Sequence, residues 1–118
     1  MRVTLDVFSG RENPFWDLSP EKESELLARL ASLKVSPSGR RPPDVLGYRG
    51  FIVTALTGDL CEYEEIRVFP KRVIALRGGR TLYFSDPDRT LERWLLASGR
   101  DCIEADLLKE LSAQVGPE

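Results

Sequence analysis

Two adjacent glycines inside a β-rich stretch constrain the fold of this chain more than any other feature. Gly78 and Gly79 separate the runs "RVIAL" (72–76) and "RTLYF" (80–84). A two-residue hairpin turn needs positive φ at its central positions, and glycine adopts positive φ without steric penalty. The pattern therefore predicts a β-hairpin. Arg77 and Arg80 flank the glycines, so their side chains are expected to project from the same end of this hairpin.

Alternation of apolar and polar residues predicts further strands. The clearest case is "VTLDVF" (3–8), which places Val3, Leu5 and Val7 on one face. The same alternation occurs in "EEIRVF" (64–69), where Pro70 interrupts the run and "RVIAL" continues it to Arg77. The segment "FWDL" (15–18) is expected to be a short return strand. The run "YRGFIVTAL" (48–56) is apolar on both faces, which is typical of a central strand.

Three helices are predicted from their start signals and apolar spacing. The first follows Ser19, a good N-cap, and Pro20, which suits the first helical position. The second is expected to be capped by Asp86 and to stop at Gly99, and the third is expected to follow Asp101. Their apolar stripes predict packing against a core.

The order of these elements defines the expected fold class. Strands cluster instead of alternating with helices, which favours an α+β fold. We predict a single domain over 1–118, with a mainly antiparallel sheet of four to five strands and three helices. Residues 34–47 hold three of the eight prolines and show no periodicity, so they are predicted to form a Pro-rich surface connection.

Composition excludes several kinds of chemistry. The chain has 118 residues and no histidine, which removes the commonest general base and every catalytic triad that relies on imidazole. The two cysteines, Cys61 and Cys102, are 41 positions apart, give no zinc spacing and are expected to be free thiols. We therefore predict no catalytic residues, no metal site and no cofactor.

Charge and hydropathy limit the partners in the same way. The net charge is −2, with 17 basic and 19 acidic residues, so nucleic-acid binding is not favoured. No segment approaches the roughly 20 apolar residues of a membrane span, and no secretory segment is recognisable. These observations predict a cytoplasmic protein with no membrane partner.

One stretch, "FSGRENPFW" (8–16), has two interpretations. As a structural corner, its glycine and proline shape the turn, Arg11 or Asn13 bonds to backbone, and the aromatics pack on the core. As a recognition loop, the same residues supply arginine, amide and aromatic contacts. Arg11, Asn13 and Trp16 are candidate binding residues for this reason. Tyr48 and Arg49 are added because aromatics surround an arginine in "GYRGF" (47–51).

Two functions remain as hypotheses. The first is a small interaction module, such as an adaptor, immunity or accessory protein, that binds another protein and has no catalytic role. The alternative is a small-ligand binder or enzyme that uses Asp6, Arg11, Glu12 and Arg49 in a pocket. The sequence favours the interaction module because no catalytic constellation is present.

Overall fold

The computed structural model describes residues 1–8, 12–36, 49–54 and 63–115. Seven strands and three α-helices are present in these residues, together with one 3-10 helix. In chain order they are β1 (Arg2–Leu5), β2 (Phe15–Asp17), α1 (Pro20–Ser32), β3 (Lys34–Ser36), β4 (Phe51–Thr54), β5 (Glu65–Phe69), β6 (Arg72–Arg77), β7 (Arg80–Ser85), α2 (Thr90–Ser98), the 3-10 helix (Arg100–Cys102) and α3 (Ala105–Val115).

All seven strands form one antiparallel sheet in the order β2-β1-β4-β5-β6-β7-β3. This confirms the α+β class, the three helices and the antiparallel pairing, but the prediction of four to five strands was wrong. Two differences account for the count. The run 64–77, which was predicted to continue past Pro70, forms two antiparallel strands, β5 and β6. Sequence patterns also missed β3, which occupies the first three residues of the predicted connection 34–47. Residues 37–47 of that connection lie outside the described residues.

The helices cover one face of the sheet. Leu26 and Leu30 of α1, Leu95 of α2 and Leu111 of α3 share a core with alternate residues of the strands. The strand residues of this core include Val3, Leu5, Phe51, Val53, Ile66, Val68, Val73, Ala75 and Phe84. Because β2 and β3 form opposite edges and α1 joins them, α1 crosses the sheet. The Cα radius of gyration is 13.6 Å, against about 13.5 Å expected for a compact domain of this length.

Local signals explain how α1 and α2 begin. The Ser19 hydroxyl accepts a hydrogen bond from the Lys22 amide at 3.3 Å, so Ser19 caps α1 as predicted. The Asp86 carboxylate accepts from the amides of Thr90 and Leu91 at 3.2 and 2.8 Å, although the helix itself begins at Thr90. The third helix begins later than predicted, at Ala105.

The predicted hairpin is confirmed. Arg77 and Arg80 are directly opposite each other in the β6–β7 ladder. Gly78 and Gly79 form the turn between them, with φ of 54° and 78°. In β6, Val73 and Ala75 are buried on the core face, while Ile74 is half-buried on the other face.

Candidate functional site

A corner links β1 to β2 and carries three of the residues that the sequence singled out: Asp6, Glu12 and Asn13. We call the described residues 6–8 and 12–14 the β1–β2 corner. The Asn13 side-chain oxygen accepts hydrogen bonds from the amides of Val7 and Phe8 at 3.1 and 2.7 Å. The Leu5 amide donates to the Pro14 carbonyl at 2.9 Å. Asn13 thus bonds to backbone across the turn, as the structural interpretation of this stretch predicts.

An ion pair fastens the corner to the sheet. The Arg49 guanidinium donates to the Asp6 carboxylate at 2.8 Å and to the Phe8 carbonyl at 3.1 Å. The backbones of the same two segments also bond, from the Arg49 amide to the Asp6 carbonyl and from the Asp6 amide to the Gly50 carbonyl. The Asp6 side chain is 20% exposed, and the Arg49 side chain is 24% exposed. Asp6 and Arg49 together therefore hold the corner in place beside β4.

Trp16 fixes the next segment, β2, against the end of α2. Its side chain is 6% exposed, and its ring meets the Phe51 ring edge-on at 6.2 Å. The indole N–H donates to the Ser98 hydroxyl at 3.0 Å, and that hydroxyl donates to the Leu95 carbonyl at 2.6 Å. A side chain at Gly99 would overlap the indole ring. This contact brings the residues after α2 beside the β1–β2 corner.

A groove lies between the β1–β2 corner and the helix junction, which we define as residues 102–107. Its volume is about 370 Å³. The lining combines apolar side chains with two carboxylates, an amide and a thiol: Phe8, Pro14, Phe15 and Leu107, with Glu12, Glu104, Asn13 and Cys102. We refer to this surface as the groove.

Phe15 is the most accessible aromatic anchor of the groove. It is 42% exposed at the β2 edge of the sheet. The Arg2 guanidinium lies 4.4 Å from the centre of its ring and bonds to the Asp17 carboxylate at 3.2 Å. The ring is therefore held in place by a cation–π contact while much of its surface faces solvent.

A second depression lies beside the C-terminal end of α2, with a volume of about 530 Å³. Its lining is mostly polar: Lys22, Trp94, Ala97, Ser98, Arg100 and Asp101. Trp94 is only 7% exposed, and the Arg29 guanidinium lies 5.5 Å from its ring. Among the described residues that line this depression, none is an exposed apolar side chain comparable to Phe15.

The structure gathers only part of the predicted site. Asn13 and Glu12 line the groove, while Asp6 and Arg49 hold the corner behind it. Trp16 is enclosed in the core. Arg11 and Tyr48 lie outside the described residues.

The opposite wall of the groove was missed by sequence reasoning. Cys102, Glu104 and Leu107 lie about 90 positions from the corner. Cys102 is an exposed free thiol, in agreement with its prediction, and Cys61 lies outside the described residues. Nothing in the local sequence of either segment signals that the two walls meet.

Two other kinds of site are absent from the described ranges: clusters of metal ligands and membrane-spanning helices. These ranges contain no group of three or more cysteine, aspartate or glutamate residues arranged to hold a metal ion. Within these same ranges, every helix is too short or too polar to cross a membrane. Comparison with protein-family models, curated proteins and solved structures gives no significant match.

Replacing Asn13 with alanine tests the corner. The change removes the acceptor shared by the Val7 and Phe8 amides, and we expect the free energy of unfolding to fall by about 1–2 kcal/mol. Urea denaturation measures this loss. Glu12→Ala is the control, because Glu12 is exposed and should change stability by less than about 0.5 kcal/mol. Equal losses for the two variants would contradict the assigned role of Asn13.

Proposed function

We propose that this protein is an interaction module of the adaptor, immunity or accessory type, and that it binds a partner protein through the groove. The observation that carries the proposal is the position of Phe15, an exposed aromatic residue on a wall that is otherwise tightly held. Aromatic anchors in or beside pockets contribute much of the affinity of protein interfaces.

The contacts that hold the corner wall of the groove support this role. Asn13 and the Asp6–Arg49 pair hold the corner, and Trp16 ties β2 to α2. A surface that is already ordered loses less conformational entropy on binding, so more of the contact energy appears as affinity. The corner wall is thus held in shape before a partner binds.

The alternative of a small-ligand pocket has less support from the same contacts. Asp6 and Arg49 bond to each other and to the corner backbone, and neither lines the groove. Of the four residues in that hypothesis, Glu12 is the one among the described residues that faces the groove. The contacts of Asp6 and Arg49 favour a structural role for both.

Co-expression with the proteins encoded beside its gene, followed by size-exclusion chromatography, tests the proposal. We expect one of them to co-elute with this chain. Phe15→Asp and Cys102→Arg should each weaken the complex at least about tenfold, or about 1.4 kcal/mol. The first variant removes the aromatic anchor, and the second fills the groove from an exposed position.

Val35→Asp is the matched control for these variants. Val35 is the other exposed large apolar side chain among the described residues, at 70%, and it lies on β3 at the opposite edge of the sheet. It should leave the complex unchanged. A complex that survives both groove variants, with each variant folded by circular dichroism, would overturn the proposal.

A further inference from the structure

In the described part of the chain, the outer edge of β2 has no partner strand. On either side of β2, the Pro14 carbonyl and the Leu18 amide bond to backbone groups at or next to the two ends of β1. Hydrogen-bonded positions alternate along an antiparallel strand, so Trp16 also faces β1. The backbone N–H and C=O groups of Phe15 and Asp17 therefore point away from β1, towards the open side of the sheet.

The hydrogen bonds on the other side of β1 support this assignment. The Asp6 amide donates to the Gly50 carbonyl at 2.9 Å, so even-numbered positions along β1 face β4 and odd-numbered positions face β2. None of the residues that the structure describes bonds to the N–H or C=O groups of Phe15 or Asp17. Pro14 has no N–H, but it lies at a position that faces β1 and so leaves the outward row complete.

The groove runs along this edge. Trp16 points into the core, so the side chain of Phe15, the preceding residue, lies on the sheet face that the helices do not cover. Leu107 belongs to α3 and lies on the helix side. Because both Phe15 and Leu107 line the groove, it passes the edge of β2 between the two faces of the sheet. Its volume of about 370 Å³ leaves room there for a short stretch of another chain.

The opposite edge of the sheet is less suited to pairing. There β3 carries Lys34, and natural edge strands use lysine to discourage pairing with another chain. The β2 strand contains no lysine, and its one charged residue, Asp17, bonds to the Arg2 guanidinium. These differences favour β2 as the edge at which a strand is added.

We infer that an extended segment of the partner protein adds to the sheet beside β2. Its backbone bonds to the outward N–H and C=O groups of Phe15 and Asp17. Successive side chains of the segment point to opposite faces, so one set packs against Phe15 and the alternate set points towards Leu107. Such a segment has apolar side chains at these positions and no proline where it pairs. This inference rests on the proposed function and specifies the conformation in which the partner binds.

Synthetic peptides separate backbone pairing from side-chain recognition. The probes are short peptides of alternating valine and threonine, which favour extended chain, with a lysine at each end for solubility. In the first peptide every threonine amide is N-methylated, so only the edge that carries the valine N–H groups can pair. In the second peptide the valine amides are methylated as well, so neither edge can donate a hydrogen bond while the side chains stay the same.

We expect the threonine-methylated peptide to bind at least about tenfold more tightly than the fully methylated peptide, because only the first can donate hydrogen bonds to the edge. Fluorescence anisotropy of labelled peptides measures the affinities. The threonine-methylated peptide should also slow the hydrogen exchange of the Phe15 and Asp17 amides, which nuclear magnetic resonance resolves residue by residue.

Asp17→Pro and Asp17→Ala form a matched pair on the protein. Both remove the carboxylate that bonds to Arg2, but only proline removes the outward N–H and places its ring where the added strand would lie. Asp17→Pro should bind the threonine-methylated peptide, and the partner found by co-expression, at least about tenfold more weakly than Asp17→Ala. Proline is tolerated at outward positions of edge strands, and circular dichroism checks that both variants fold.

Equal binding of the two peptides, or equal binding by the two Asp17 variants, would overturn the inference, because side chains and not the backbone would then be recognised. Binding without slower exchange at Phe15 and Asp17 would also overturn it, as would a lack of binding by either peptide. In each of these cases the proposed function would stand. The proposed function itself fails through a different result, a partner complex that is insensitive to Phe15→Asp and Cys102→Arg.

Discussion

Gly50→Ala is expected to lower the free energy of unfolding by about 3 kcal/mol or more. Gly50 has φ of +102°, a conformation that residues with a β-carbon rarely adopt. A β-carbon at this position would also overlap the carbonyl oxygen of Val68, which is backbone and has no rotamer to change. Since Val68 lies in β5, between β4 and β6, the strand has no free direction in which to move away.

A comparison with the hairpin glycine Gly79 separates the cost of positive φ from the cost of the steric overlap. Gly79 also has positive φ, at 78°, but an added β-carbon there would meet no atom within 4 Å. Gly79→Ala should therefore lose only the conformational part, about 1 kcal/mol. Urea denaturation of both variants measures the difference, which reports the overlap with Val68. If both variants lose the same amount, the close approach of Gly50 to β5 is not as described.

The elements predicted correctly from sequence are those whose signals are local. The sequence signal for the hairpin is the pair Gly78 and Gly79, and the signal for the start of α1 is Ser19 with Pro20. The β3 strand has no comparable signal, because three residues cannot show an alternation and Val35 is 70% exposed. It forms because β7 offers an edge with which it can pair. Sequence patterns do not record that kind of long-range pairing.

The buried face of β6 also depends on long-range pairing that its sequence does not record. Val73, Ile74, Ala75 and Leu76 are all apolar, so a period of two does not say which face is buried. Pairing settles it, because Val73 lies opposite both Val68 and Phe84 in the core. A sequence gives the composition of such a strand but not its register.

The two walls of the candidate site differ in the same way, because one has a local sequence signal and the other does not. The corner was predictable because glycine, asparagine and proline lie within a few residues of each other. The other wall depends on the hydrogen bond between Trp16 and Ser98, two residues 82 positions apart. Because that bond depends on how α2 lies on the sheet, the groove becomes visible only in the structure.

The second large effect is expected at Arg89, which joins the start of α2 to the end of α3. Its guanidinium makes a bidentate ion pair with Glu92, at 2.9 and 3.0 Å, and donates to the Gln114 carbonyl at 3.1 Å. The Glu92 side chain is 1% exposed, and that of Arg89 is 21% exposed. Arg89 also has φ of 58°, an unusual conformation for a residue that is not glycine.

Arg89→Ala should reduce the free energy of unfolding by about 3 kcal/mol, because it leaves the Glu92 carboxylate buried without its cation. Arg93→Ala, on the same helix and half-exposed, is the control and should lose less than about 0.5 kcal/mol.

A second variant separates the charge from the packing. The double variant Arg89→Met with Glu92→Leu removes both charges and keeps similar volume, so it should recover most of the lost stability. Urea denaturation measures all three proteins, and hydrogen exchange at α3 should increase in Arg89→Ala because the bond to Gln114 is lost. If the double variant is as unstable as Arg89→Ala, packing and not the unpaired carboxylate accounts for the loss, and the role assigned to this ion pair is wrong.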